Sequence, residues 1–316
     1  MLGLGKVLVS MAALLFLAAP IQAKPAKSYK EYTPNYEPLQ SEPKLFQEYK
    51  EIFNLSNKTS VSRENLERAF QILEGTLQKN PQWIDGYWLL GSVAFQWGSS
   101  YNDEKDLAYA RSILSKGQVA TETCLKLDPH QFLCKLFLGS TIGSIGTIDG
   151  VFSSLMKAKQ VEKLWNEVKD SDFNFHFLPH ISAQGSVRYG LGIFYRLVPD
   201  LIMIKWIFDV RGDLDLSIQM HRESLAMDGV NPCGTLMLAA SLTCKAQGDF
   251  LRKPGDEGLE LLRQVGQARK DPNLMMQICA NDSQRIINES SLACGYSTAK
   301  QQKNDAKTFE TSQSAP

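Results

Sequence analysis

The interval from Pro81 to Leu90-Gly91 recurs between Pro129 and Leu138-Gly139. That spacing is the signature of a tetratricopeptide-type helical repeat, in which a proline closes one hairpin and a Leu-Gly pair sits on the next helix. Glycine has no side chain, so a neighbouring helix can approach there. The pattern extends backwards: Ala69, Leu73, Thr76 and Pro81 fill the A-x3-F-x2-A-x4-P half of a repeat, and Tyr87, Leu90 and Gly91 the W-x2-L-G half. Stacked units of this kind bury a continuous core between helices. They predict an all-α fold of antiparallel helical hairpins, a TPR-like α-solenoid, which usually binds and rarely catalyses.

The two Leu-Gly pairs are 48 residues apart, about 14 more than the usual repeat of 34. The polar stretch 99–106 is the place for that insertion. Pro179 lies 50 residues after Pro129 and Gly229 50 after Pro179, with small residues again at packing positions in Ser217-x3-His221-x2-Ser224, so the period holds over roughly four units. The third is the least regular, because 171–178 reads as loop. Helices are expected at about 45–54, 62–79, 82–97, 105–127, 130–145, 151–169, 181–197, 200–209, 213–227, 233–247, 255–269 and 283–290. Nothing reads as a strand pair.

Residues 1–23 carry Lys6, an apolar run from Val7 to Ala19, Pro20 and a small residue at Ala23. This reads as a cleaved secretory signal peptide, with no lipoprotein cysteine near the cleavage point, and predicts a periplasmic or secreted protein. Residues 24–44, rich in Pro, Tyr, Lys and Glu, read as a flexible or extended lead, 45–295 as the repeat domain, and 296–316 as a polar disordered tail. Lysine plus arginine balance aspartate plus glutamate at 34 each, which gives no electrostatic case for nucleic acid. The run Leu201–Phe208 is the most apolar after the leader, but it is too short to span a bilayer and carries Lys205.

Six cysteines, all beyond residue 23, fit an oxidising compartment. Cys124 and Cys134 stand five residues either side of Pro129, which places them across two adjacent antiparallel helices and predicts a bridge. Cys233 and Cys244, 11 apart on one helix, are separated by about 16 Å of rise, too far to bond each other. Cys279 and Cys294 are the alternatives, with the pairing left open.

Gly139, Gly143 and Gly146 line one helix face, and Gly185, Gly190 and Gly192 another. Close helix packing explains both; the competing reading is that the two faces enclose a ligand pocket. First helices line the inner side of a hairpin stack, so Tyr87, Gly91, Gly139, Gly143, Tyr189 and Tyr195 are the candidate cleft residues. His176 and His180 have the i, i+4 spacing of a metal pair but bracket Pro179 in a loop, and no metal site or cofactor is expected. No nucleophile elbow, phosphate loop or dinucleotide fingerprint occurs, so no catalytic residues are assigned.

The run Gln184–Pro199 followed by Gly212-Asp213 and a repeat helix, together with the Leu127-Asp128-Pro129 turn, resembles the T component of tripartite ATP-independent periplasmic (TRAP) transporters, the TatT family. A weaker likeness is to the repeat domain of regulators of microtubule dynamics. The TatT resemblance covers about 80–250. It implies a periplasmic helical protein with a hydrophobic cleft, able to form a homo-oligomer and to dock a transporter's substrate-binding protein. The expected function is therefore binding of a partner protein and of a small apolar ligand in the cleft. The rivals are a periplasmic small-molecule carrier and an enzyme of unrecognised type.

Overall fold

The computed structural model describes residues 27–56, 61–101, 103–271 and 274–297. The predicted signal peptide, part of the 99–106 insertion and most of the polar tail lie outside them. The helices run α1 (Glu37–Gln40), α2 (Pro43–Ser56), α3 (Arg63–Lys79), α4 (Ile84–Ser99), α5 (Leu107–Leu127), α6 (Phe132–Asp149), α7 (Val151–Asp170), α8 (Ala183–Leu197), α9 (Ile202–Phe208), α10 (Leu214–Asp228), α11 (Pro232–Lys245), α12 (Gly255–Val265) and α13 (Leu274–Asn288). The fold is all-α. Hairpins α4/α5, α6/α7, α8/α10 and α11/α12 stack in chain order, with α4 also touching α6 directly.

Local chemistry sets the helix ends. Ser62, Ser182, Asp213 and Asn231 each accept a hydrogen bond from the backbone N–H three residues on, satisfying a donor that a helix start leaves orphaned. Gly150 and Gly229 adopt φ of +97° and +82° between helices, where L side chains are disfavoured. The repeat glycines act as the spacing implied. A Cβ on Gly91 would stand 2.5 Å from Thr121 Cγ2 of α5, and one on Gly117 2.7 Å from Ala94 Cβ of α4, so these two helices meet where neither has bulk.

Four segments depart from the sequence reading. The lead is not free: residues 27–36 run extended over the stack as a strap, and Leu39 of α1 is fully buried. Strand β1 (Lys30–Glu31) pairs in parallel with β2 (Phe173–Asn174), in register Lys30 with Phe173 and Glu31 with Asn174. A second short ladder joins β3 (His176–Leu178) to β4 (Ile181–Ser182), antiparallel. Strand pairs arise here because the non-helical segment between α7 and α8 leaves backbone donors and acceptors unpaired, and each needs a partner once packed. The fold also extends past the expected domain end, since Tyr296 is buried and its hydroxyl donates to Asp282 Oδ2 at 2.7 Å. Finally, α13 begins at Leu274, well before the expected 283.

All six cysteines pair. Cys124–Cys134 joins α5 to α6 as the spacing predicted, while Cys233–Cys279 and Cys244–Cys294 bind α11 to α13 and to the C-terminal turn. Three disulfides fit an oxidising, extracytoplasmic environment. No helix among the described residues is long and apolar enough to cross a membrane.

Candidate binding surfaces

The side of the stack lined by α4 and α6 is filled by the chain itself. Phe175 and Phe177, carried by the β2–β3 segment, reach Trp88 of α4 and Phe137 of α6 with ring centroids 5.4 Å (Phe175–Trp88) and 5.5 Å (Phe177–Phe137) apart. Tyr32 of the strap stands edge-on to Phe132 at 5.5 Å. This inner face is thereby closed by aromatic rings from two irregular segments.

The predicted cleft residues separate accordingly. Gly139 lies against the indole of Trp165 from α7: a Cβ there would come 2.3 Å from its Nε1. Gly143 and Gly190 face the outer edge of the same ring, where an added Cβ would stand 3.9 and 3.0 Å from its Cη2. The gap between the glycine faces of α6 and α8 therefore holds Trp165, which is 9% exposed and donates from Nε1 to the Leu136 carbonyl at 3.2 Å. Tyr195 is buried, its hydroxyl 3.3 Å from Glu162 Oε1. Tyr189 packs into a second core around α11–α13, edge-on to His221 at 5.9 Å, and burial pushes its hydroxyl pKa up to about 12. Gly91 is spent on the α4–α5 contact. Tyr87 is half-buried, as Gly143 and Tyr189 are, and donates at 3.0 Å to the carbonyl of Pro81, which lines an opening.

That opening is a groove of about 480 Å³ between the strap and the two proline turns, lined by Tyr32, Asn35, Asn80, Gln82, Asp128 and Gln131 among others. Asp85 organises its wall. The carboxylate is 6% exposed and accepts from Tyr32 Oη at 2.7 Å, the Asn35 backbone N–H at 2.7 Å and Trp88 Nε1 at 2.6 Å. Gln131 Nε2 in turn donates to Tyr32 Oη at 2.8 Å, and Trp83 Nε1 to the Asn35 carbonyl at 2.7 Å. Burial, then the hydrogen bond to Asp85, raises the Tyr32 pKa, so this hydroxyl keeps its proton. The wall is cross-linked by these hydrogen bonds, and its rim presents amides, carboxylates and aromatic faces.

A second surface lies at the other end of α7. Helix α9, Ile-Met-Ile-Lys-Trp-Ile-Phe, is inserted between the helices of the third hairpin and holds on through Ile204, which is fully buried, and through Phe208, whose ring meets Phe152 at 6.0 Å. Its remaining apolar residues face outward. Ile202, Met203, Trp206 and Ile207 are 78, 46, 87 and 51% exposed, and Phe152 and Met156 on α7 are 51 and 63% exposed.

The strap groove and the outward face of α9 were both absent from the sequence-based site. The groove depends on contacts across 50 to 99 residues, which no spacing rule reports. The α9 face did leave a signal: a seven-residue helix with six large apolar residues cannot bury all of them against one neighbour. The paired histidines do not converge: His176 Nδ1 sits 3.1 Å from Glu31 Oε1, while His180 occupies the exposed turn after β3. Among the described residues no three His, Cys, Asp or Glu side chains are grouped to hold a metal. The chain matches no family model and no curated protein.

Proposed function

We propose that this is an exported helical-repeat binding protein that holds a partner protein through an extended segment seated in the groove beneath the strap. The groove is the observation that carries this reading. Its lining of amide, carboxyl and aromatic groups suits a peptide backbone, which needs donors and acceptors along its whole length. The walls are fixed in advance by the Asp85 network, so little ordering cost falls on binding. Export follows from the leader-like residues 1–23 and accords with the three disulfides. A substrate-binding protein of a transporter is the partner class that the TatT resemblance implies. A small apolar ligand between α6 and α8 has less support, because Trp165 takes up that space.

The test is photo-crosslinking from position 82, where Gln82 is exposed on the groove rim, in cells exporting the protein. A discrete crosslinked protein that disappears when Asn80→Trp, at another position of the lining, blocks the groove in the folded chain supports the reading. Crosslinking from position 82 that Asn80→Trp leaves unchanged refutes it.

A further inference from the structure

The outward face of α9 and the start of α7 presents six large apolar side chains in one continuous patch, tied together by the Phe152–Phe208 ring contact. At about 200 Å² per large side chain, their exposed fractions amount to roughly 700 Å². The largest patch on an ordinary monomer is about 300–600 Å². The other exposed large apolar side chains, Tyr109, Val119, Leu127, Phe173, Ile181, Val230 and Leu251, are spread over several elements, as on any protein surface. A patch of this size on a secondary element that contributes one fully buried residue to the core implies an occupant.

We infer that α9 seats in the interfacial layer of an anionic lipid bilayer, holding the binding domain against a membrane surface. Shape argues for lipid over a second copy of this chain. Protein interfaces concentrate their energy where aromatic anchors fill pockets on the partner; here Ile202 and Trp206 project, and the strap groove, lined by other elements, offers no socket beside them. A second copy would set projection against projection, whereas acyl chains close around any shape. Composition agrees: tryptophan favours the headgroup level, and the stem of Lys205 can lie along apolar surface while its ammonium reaches water.

Charge agrees as well. Lys205 Nζ reaches Asp209 Oδ1 at 2.8 Å, and Lys159 Nζ lies 3.1 Å from Asp209 Oδ2 and 3.6 Å from Glu162. Lys157 follows Met156 directly on α7 and is exposed. Three lysines against two carboxylates leave the rim one positive charge in excess. The helix is far too short to span, so α9 would lie in the plane of the interface with its apolar side chains inserted.

The patch tests itself through Trp206. The other four tryptophans, Trp83, Trp88, Trp97 and Trp165, are 9% exposed or less, so a change in emission on adding lipid reports Trp206. The oxidised, exported protein is expected to sediment with vesicles of equimolar phosphatidylglycerol and phosphatidylcholine and to blue-shift its emission. Pure phosphatidylcholine should bind about 5-fold more weakly, as one excess charge near the surface implies. The double variant Ile202→Glu, Trp206→Glu should lose vesicle binding at least about 10-fold while its helical circular dichroism and melting temperature stay at wild-type values. Trp206→Phe should still sediment but lose most of the emission shift. The inference is overturned if wild type does not sediment, if the double variant sediments equally, or if wild type is a dimer in solution that the double substitution dissociates. Groove crosslinking at position 82 is read separately, so either proposal can fail alone.

Discussion

Trp165 lies with its indole against Gly139, so close that a Cβ on the glycine would stand 2.3 Å from Nε1. The ring is buried and anchored by its hydrogen bond to the Leu136 carbonyl, so it has no inexpensive way to retreat. Gly139→Ala is therefore expected to lower stability by about 1–3 kcal/mol, the usual cost of overpacking. At Gly143 the nearest atom to a new Cβ is 3.9 Å away, an ordinary contact. Gly143→Ala should be neutral or gain up to about 1 kcal/mol from helix propensity. Thermal melts of the two variants decide it, and equal losses would show that the ring is not held where the structure places it.

Asp85 offers the second test. Its carboxylate accepts three hydrogen bonds, two of them from the strap. Hydrogen bonds to a charged group contribute about 1.5–3 kcal/mol each, and buried donors left without a partner add their own cost. Asp85→Ala should destabilise by more than about 3 kcal/mol. It should also free residues 27–36 to limited proteolysis before the helical core is cut. A variant whose strap stays protected would mean that β1–β2 pairing holds it unaided.

The disulfides should differ in value. Cys124–Cys134 spans 10 residues, whereas Cys233–Cys279 and Cys244–Cys294 span 46 and 50. Loop-entropy arithmetic gives about 3 kcal/mol for the first and about 4 kcal/mol for each of the others. Serine pairs at each bridge, unfolded in urea, are expected to fall in that order. Loss of either long bridge should loosen the C-terminal turn, where the Arg196 guanidinium donates to the Ala293 carbonyl at 2.7 Å from inside the core.

His221 is the buried group with the clearest pH signature. It is 1% exposed, neither ring nitrogen has a hydrogen-bond partner, and it faces the Tyr189 ring, with Arg196 the charged group that adds to the effect of burial. Burial first, then the charge of Arg196, lowers its pKa from 6.5 to about 3. Between those values the unfolded chain binds a proton that the folded chain refuses. Stability is thus full above about pH 6.5 and is lost as pH falls towards 3, by an amount on the order of 4 kcal/mol. In His221→Leu the slope of unfolding free energy between pH 6.5 and 4 should flatten. A slope identical to wild type would locate the acid sensitivity elsewhere.

What the sequence determined by itself is local and periodic. Pro81 and Pro129 with their Leu-Gly partners fix which helices form hairpins, because a missing side chain and a missing N–H act on neighbours within one repeat. The Cys124–Cys134 bridge was legible for the same reason: an antiparallel turn brings positions equidistant from Pro129 together whatever the rest does. The tertiary structure decided everything that crosses repeats. Lys30 pairs with Phe173, Tyr32 binds Asp85, and Cys244 chooses Cys294 over Cys279, all through chain separations at which spacing carries no information. It also decided that Gly139 and Gly143 of α6 and Gly190 of α8 enclose a tryptophan, while Gly185 and Gly192 pack against α10. Whether such a gap is filled depends on where a side chain from a third helix points, and that direction is set only when all three helices pack.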